Sequence, residues 1–84
     1  MWFIYILKCS DNTLYTGITT DVDRRLSEHN TSPKSAKYTR ARRPVQLVYT
    51  SKNFLNRSEV LKEEIRIKWL TRKQKIELIE KTKV

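Results

Sequence analysis

Two tyrosines, Tyr5 and Tyr15, stand ten positions apart near the start of an 84-residue chain. Arg25 and the only histidine, His29, follow four positions apart, and Glu64 lies within a later run of apolar and charged residues. Phenols can pass or position protons, a guanidinium offers planar donors to phosphate oxygens, and a carboxylate is a hard ligand for a divalent cation. The set suits phosphate chemistry better than acyl transfer. With one His, no Ser-His-Asp triad can be argued, and with one Gly there is no glycine-rich phosphate loop. One Cys and one His cannot supply the three or four protein ligands of a zinc site.

These side chains must be positioned by short elements. Trp2 to Lys8 is rich in aromatic and β-branched types and predicts a strand, with neither alternate face polar, so both faces should be covered. Thr13 to Thr19 predicts its hairpin partner across a loop of Ser10, Asp11 and Asn12, with Asn12 at positive φ. That loop length sets Tyr5 opposite Gly17 and Leu7 opposite Tyr15, placing both tyrosines on one face. Thr20-Asp21-Val22-Asp23 has the capping-box form and opens a helix to about Thr31, before Pro33. From Ser32 to Pro44 we expect an exposed polar loop with up to one helical turn, and from Val45 to Thr50 a third strand. Asn56 with Glu59 starts a helix to about Trp69, and Thr71 with Gln74 starts an amphipathic helix towards Glu80. The order ββαβαα is an α+β domain with one small sheet, a single domain over residues 1–84.

Helical spacing singles out polar residues on apolar faces. On the first helix His29 falls between Val22 and Leu26, with Arg25 on the flank and Arg24 and Glu28 pointing away. On the second, Val60, Leu61, Ile65 and Ile67 set the inner face, and Glu64 lies among them with Arg57 and Lys68 beside it. A carboxylate there is costly without a partner or a metal. An inert salt bridge to Arg57, Lys68 or Arg25 is one account of it, and a metal ligand is the other.

Charge narrows the partner. Lys and Arg number 18 against 9 Asp and Glu, a net +9, which favours a polyanion. The longest apolar run, Trp2 to Leu7, is too short to cross a membrane, and with a single cysteine the chain reads as cytoplasmic. The helices have apolar faces of core width, so nucleic acid is preferred to a membrane surface. Lys34, Lys37, Arg40, Arg42 and Arg43 surround Tyr38, which could stack on an unpaired base. Arg72, Lys73 and Lys75 open the last helix, where cations oppose the helix dipole unless an anion sits nearby.

Phe3-Ile4-Tyr5, Tyr15-Thr16-Gly17, Arg25, His29 and Glu64, taken together, resemble the GIY-YIG nuclease signature over about residues 2 to 80. The chain is most similar to the small stand-alone bacterial proteins of the YhbQ-like branch, relatives of the UvrC amino-terminal incision domain. The resemblance implies a three-stranded antiparallel sheet flanked by helices and hydrolysis of a DNA phosphodiester with one Mg²⁺ or Mn²⁺ ion. It implies a structure-selective endonuclease of DNA repair or processing, acting on branched or flapped DNA. By the same resemblance Tyr15 is the candidate general base, Tyr5 positions water or phosphate, and Arg25 stabilises transition-state charge. Glu64 holds the metal, His29 lies near the scissile phosphate, and Gly17 lets the backbone approach the substrate. Lys68 joins the basic residues above as a candidate nucleic-acid contact. Three departures stand out: Phe3 replaces the family's first Gly, Ile18 follows Gly17, and the nearest amide beyond Glu64 is Gln74, where larger relatives carry Asn. A non-catalytic nucleic-acid-binding module of the same fold, or an adaptor for an acidic protein, are the alternatives.

Overall fold

The computed structural model describes residues 1–82; the expected domain also took in Lys83 and Val84, which lie outside the described residues. Strand β1 (Phe3–Lys8) is the centre of the molecule. It pairs antiparallel with β2 (Leu14–Thr19) on one edge and with β3 (Gln46–Thr50) on the other, in the order β2-β1-β3. The hairpin register is the one its loop demands: Tyr5 opposes Gly17, Leu7 opposes Tyr15, and Asn12 sits at φ 71°.

Alternation along β1 feeds two cores. Ile4 and Ile6 enter one with Val60, Ile67 and Ile79, while Tyr5 and Leu7 enter the other with Cys9 and Val45. Helix α1 (Val22–Thr31) covers the tyrosine face through Val22 and Leu26. Helices α3 (Arg57–Lys68) and α4 (Arg72–Thr82) supply the isoleucine face. This is the α+β class that the sequence pattern implies, with the three-stranded antiparallel sheet that the family resemblance implies.

Caps set most boundaries. Asn56 accepts from the Glu59 amide at 2.9 Å, and Thr71 and Gln74 form a reciprocal pair at 2.9 and 3.2 Å. At α1 the cap is Asp21, not Thr20: its carboxylate accepts from the Arg24 amide at 3.0 Å. The Thr19 hydroxyl accepts from the Asp21 amide at 3.1 Å, turning the chain one residue later than the Thr20 reading requires.

Two further expectations need correction. Ile65 is 54% exposed, because α3 rests on the sheet along a narrow line through Val60 and Ile67, and Ile65 is about 140° round from Val60. The segment before β3 does hold one helical turn, α2 (Lys37–Arg40), but it is not wholly exposed: Ser35 and Thr39 are buried against α1.

Candidate active site

Tyr5 rises from the middle of β1 and lies across Gly17. A Cβ at Gly17 would sit 2.5 Å from the Tyr5 hydroxyl oxygen and 2.6 Å from Cζ. What this glycine admits is therefore the phenol ring, a nearer reason for its presence than an approaching substrate. The ring is thereby aimed at α1, where its hydroxyl meets His29 Nε2 at 2.7 Å.

His29 and Tyr5 are both essentially inaccessible, at 0% and 2% exposure. The other imidazole nitrogen, Nδ1, lies 2.7 Å from the Thr39 hydroxyl, and that hydroxyl donates to the Ala36 carbonyl at 3.0 Å. A carbonyl can only accept, so the one Thr39 proton goes to Ala36 and the Thr39 oxygen accepts from Nδ1–H. Nε2 is then a lone-pair acceptor and Tyr5 donates to it. Burial holds His29 neutral, down to about 4, helped by the positive charges of Arg25 and Arg43 and opposed by Glu28. Burial likewise pushes Tyr5 up to about 12; Arg25 pulls the other way, and Tyr15 and Glu64 add to the rise. At neutral pH the pair is a phenol hydrogen-bonded to a neutral imidazole.

Tyr15 shares the face, with its ring 6.5 Å from Tyr5 and 5.3 Å, edge-on, from His29. Its hydroxyl makes no hydrogen bond among the described residues. Arg25 is half-buried and paired with Glu28 at 3.1 Å, so Glu28 swings towards Arg25 where the helical wheel had it pointing away. Glu64 arrives from α3 with its side chain only 12% exposed, and its charge is felt at Tyr5. Its partner is Lys68 at 3.5 Å, too long for a good hydrogen bond. No group of three or more acidic, His or Cys ligands exists among the described residues. A lone, mostly desolvated carboxylate fits a Mg²⁺ ion that keeps most of its waters, and fits zinc poorly.

The basic loop divides. Arg43 donates to the His29 and Ser32 carbonyls, both at 2.6 Å, and to Ser35 Oγ at 3.0 Å, which employs it in closing the C-terminal end of α1. Arg42 binds Asp11 at 3.0 Å and lies 3.8 Å over the Tyr38 ring, which also stacks on Tyr15 at 6.0 Å. Tyr38 thus already has ring partners. Arg40 reaches the Pro33 carbonyl at 3.1 Å; Lys34 and Lys37 are exposed. Arg72 and Lys75 line a shallow groove with Thr13 and Leu14, and Leu14 packs on the isoleucine core, so these cations lie on the other face of the sheet from the tyrosines. Lys73 is exposed.

Sequence reasoning missed Thr39 and Asn30. Asn30 donates to the Val45 carbonyl at 3.1 Å and accepts its amide at 2.8 Å, tying α1 to the start of β3. Thr39 lies outside any periodic pattern, whereas Asn30 continues the Val22–Leu26 stripe of α1 at i+4, a spacing that could have marked it.

A small antiparallel sheet with two phenols, an imidazole, a guanidinium and a carboxylate gathered about one strand is the arrangement of a GIY-YIG nuclease-type domain. The chain belongs to the GIY-YIG catalytic domain family, whose model matches residues 1–77. It is 54% identical over 78 residues to a UPF0213 protein of Desulfotalea psychrophila, covering 93% of this chain and 70% of that protein. A UPF0213 protein of Staphylococcus haemolyticus is 50% identical over 78 residues, with 93% of each chain covered. Among solved structures, the solution NMR structure of a UPF0213 protein from Bacillus halodurans matches with a TM-score of 0.61 and 44% identity, over 98% of this chain and 86% of that one. No helix among the described residues is long and apolar enough to cross a membrane.

Proposed function

We propose that this protein is a divalent-cation-dependent DNA endonuclease, selective for branched or flapped structures and serving DNA repair or processing. The observation that carries the reading is the Tyr5–His29–Thr39 chain, which gives one phenol a built proton acceptor beside Arg25 and Glu64. An attacking water would give its proton to the Tyr5 oxygen as the Tyr5 proton moves to His29 Nε2, so a free phenolate need not form at neutral pH. This assigns proton acceptance to Tyr5 in place of Tyr15, whose hydroxyl has no acceptor to pass a proton to. Tyr15 instead walls the site against His29. Arg25, relinquishing part of its hold on Glu28, would bind a non-bridging phosphate oxygen. Glu64 would hold Mg²⁺ or Mn²⁺, which supplies Lewis-acid polarisation of the phosphoryl group.

Purified protein with Mg²⁺ or Mn²⁺ should nick flapped DNA. Tyr5→Phe, Arg25→Ala and Glu64→Gln should each lose cleavage while retaining binding. Equal trace cleavage in all variants would show contamination and remove the reading. A non-catalytic nucleic-acid-binding module is favoured by one observation: Gln74, the nearest amide beyond Glu64, is committed to the Thr71 cap. Under that reading binding needs no cation, falls with salt at a slope of about −4.5 for about five phosphates, and no variant changes a rate.

A further inference from the structure

Trp69 closes α3 as its C-cap residue and is 84% exposed, with its backbone held to Ile65 and Ile67 and its indole in water. Ile65, one turn earlier and on the same side of the helix, is 54% exposed. An indole left bare next to a bare isoleucine is the kind of patch a monomer keeps for a partner. The surroundings specify the partner. Lys62 is exposed three residues before Ile65 and Lys73 four residues beyond Trp69, and neither has an ion-pair partner among the described residues. The first turn of α4 holds three cations, Arg72, Lys73 and Lys75, and no acid, an arrangement that opposes the helix dipole until an anion arrives.

We propose that Trp69, with exposed Ile65 one turn before it and Lys62 and Lys73 on either side along the chain, is a stacking platform for an unpaired base of a nucleic acid strand. A π-face supplies stacking that every base can use, and the cations supply contacts to the phosphates on either side of it. A second copy of the chain is a poorer occupant, because two-fold pairing of this patch would bring like-charged groups together on a protein already at +9. Tyr38, the aromatic that the sequence put forward for stacking, is occupied by Arg42 and Tyr15 and leaves the part to Trp69. Glu64 lies five residues before Trp69, about 7.5 Å along the helix and about 140° round it, so the platform faces away from the candidate metal ligand and acts as a separate contact for the strand. The proposal deepens the nuclease reading by giving it a reason to prefer unpaired strands, and it rests only on that reading's choice of nucleic acid.

The test is made without divalent cation, so that binding is read apart from cleavage. In a Trp2→Phe background Trp69 is the only indole. Its emission should be quenched by an oligothymidylate of ~12 nucleotides and much less by a blunt duplex of equal length. Trp69→Ala should weaken oligothymidylate binding by about 5- to 140-fold and leave duplex binding unchanged, whereas Trp69→Phe should keep most of the affinity. Unchanged oligothymidylate binding in Trp69→Ala overturns the proposal. So does quenching by anionic phosphatidylglycerol vesicles without quenching by the oligonucleotide, which assigns the patch to a membrane surface. So does a concentration-dependent dimer in sedimentation that Trp69→Ala abolishes. If cleavage fails in every assay while this binding holds, the nuclease reading falls and the platform stands.

Discussion

Replacing Gly17 by Ala should unseat the Tyr5 phenol. The new Cβ would lie 2.5 Å from the hydroxyl oxygen, 2.6 Å from Cζ and 3.1 Å from Cε1, so the ring must retreat by about 1 Å to reach ordinary contact. It has little room, being 2% exposed, and the retreat lengthens the 2.7 Å bond to His29 beyond hydrogen-bond range. Overpacking costs about 1–3 kcal/mol and an orphaned buried polar pair about 1–3 more. Against this, Ala stiffens the unfolded chain by about 0.4–1 kcal/mol, a gain available because Gly17 does not use positive φ. The net loss is about 1–5.5 kcal/mol, and at the middle of that range, about 3 kcal/mol, Tm falls by roughly 12–24 °C for a domain of this size. Thermal and urea melts measure it. The same substitution in a Tyr5→Leu background, where the clashing atoms are absent, should be neutral or stabilising. An equal cost in both backgrounds, or no cost in the wild type, refutes the reasoning.

Three other outcomes are expected. His29, neutral when folded down to about 4 but free to protonate near 6.5 when unfolded, makes the unfolded state the stronger proton binder between those values. Stability should therefore fall as pH drops from 6.5 to 4, by about 2 kcal/mol at pH 5. His29→Gln should flatten this window, and the wild-type imidazole ¹⁵N shifts should show the Nδ1–H tautomer; a protonated ring at pH 6 contradicts the site geometry. The Thr16 hydroxyl is buried without a partner among the described residues, so Thr16→Val should raise stability by about 1 kcal/mol in urea titration; a loss would mean that the hydroxyl has a partner. Arg43→Gln should cost about 1–3 kcal/mol because it frees the carbonyls of His29 and Ser32, while Lys34→Gln with Lys37→Gln should leave the melt unchanged and weaken only polyanion binding.

Local rules read well where one element decided the outcome. The Ser10–Asn12 loop set the hairpin register, and with it the shared face of Tyr5 and Tyr15. The caps at Asn56 and Thr71 set two helices, and the spacing of Val22, Leu26 and His29 turned the imidazole inward. Two of the failures involved partners distant in the chain. Thr39 reaches His29 across ten positions and Arg43 across fourteen, both from an aperiodic segment in which any polar residue looks solvated. Ile65 failed for another reason: how wide an arc of α3 touches the sheet depends on tertiary packing, which composition does not record.

The place of β1 at the centre of the sheet has a consequence for the nascent chain. The hairpin and α1 leave the ribosome first, carrying Tyr5, Tyr15, Arg25 and His29 together. One edge of β1 then stays open until residues 46–50 have been made, because β3 is the strand that pairs with it on that side among the described residues. Through that interval Ile4 and Ile6 also lack the α3 residues that cover them. A chain stalled before Gln46 would present an unpaired strand edge beside bare isoleucines, so for this protein incomplete synthesis and aggregation are closely joined.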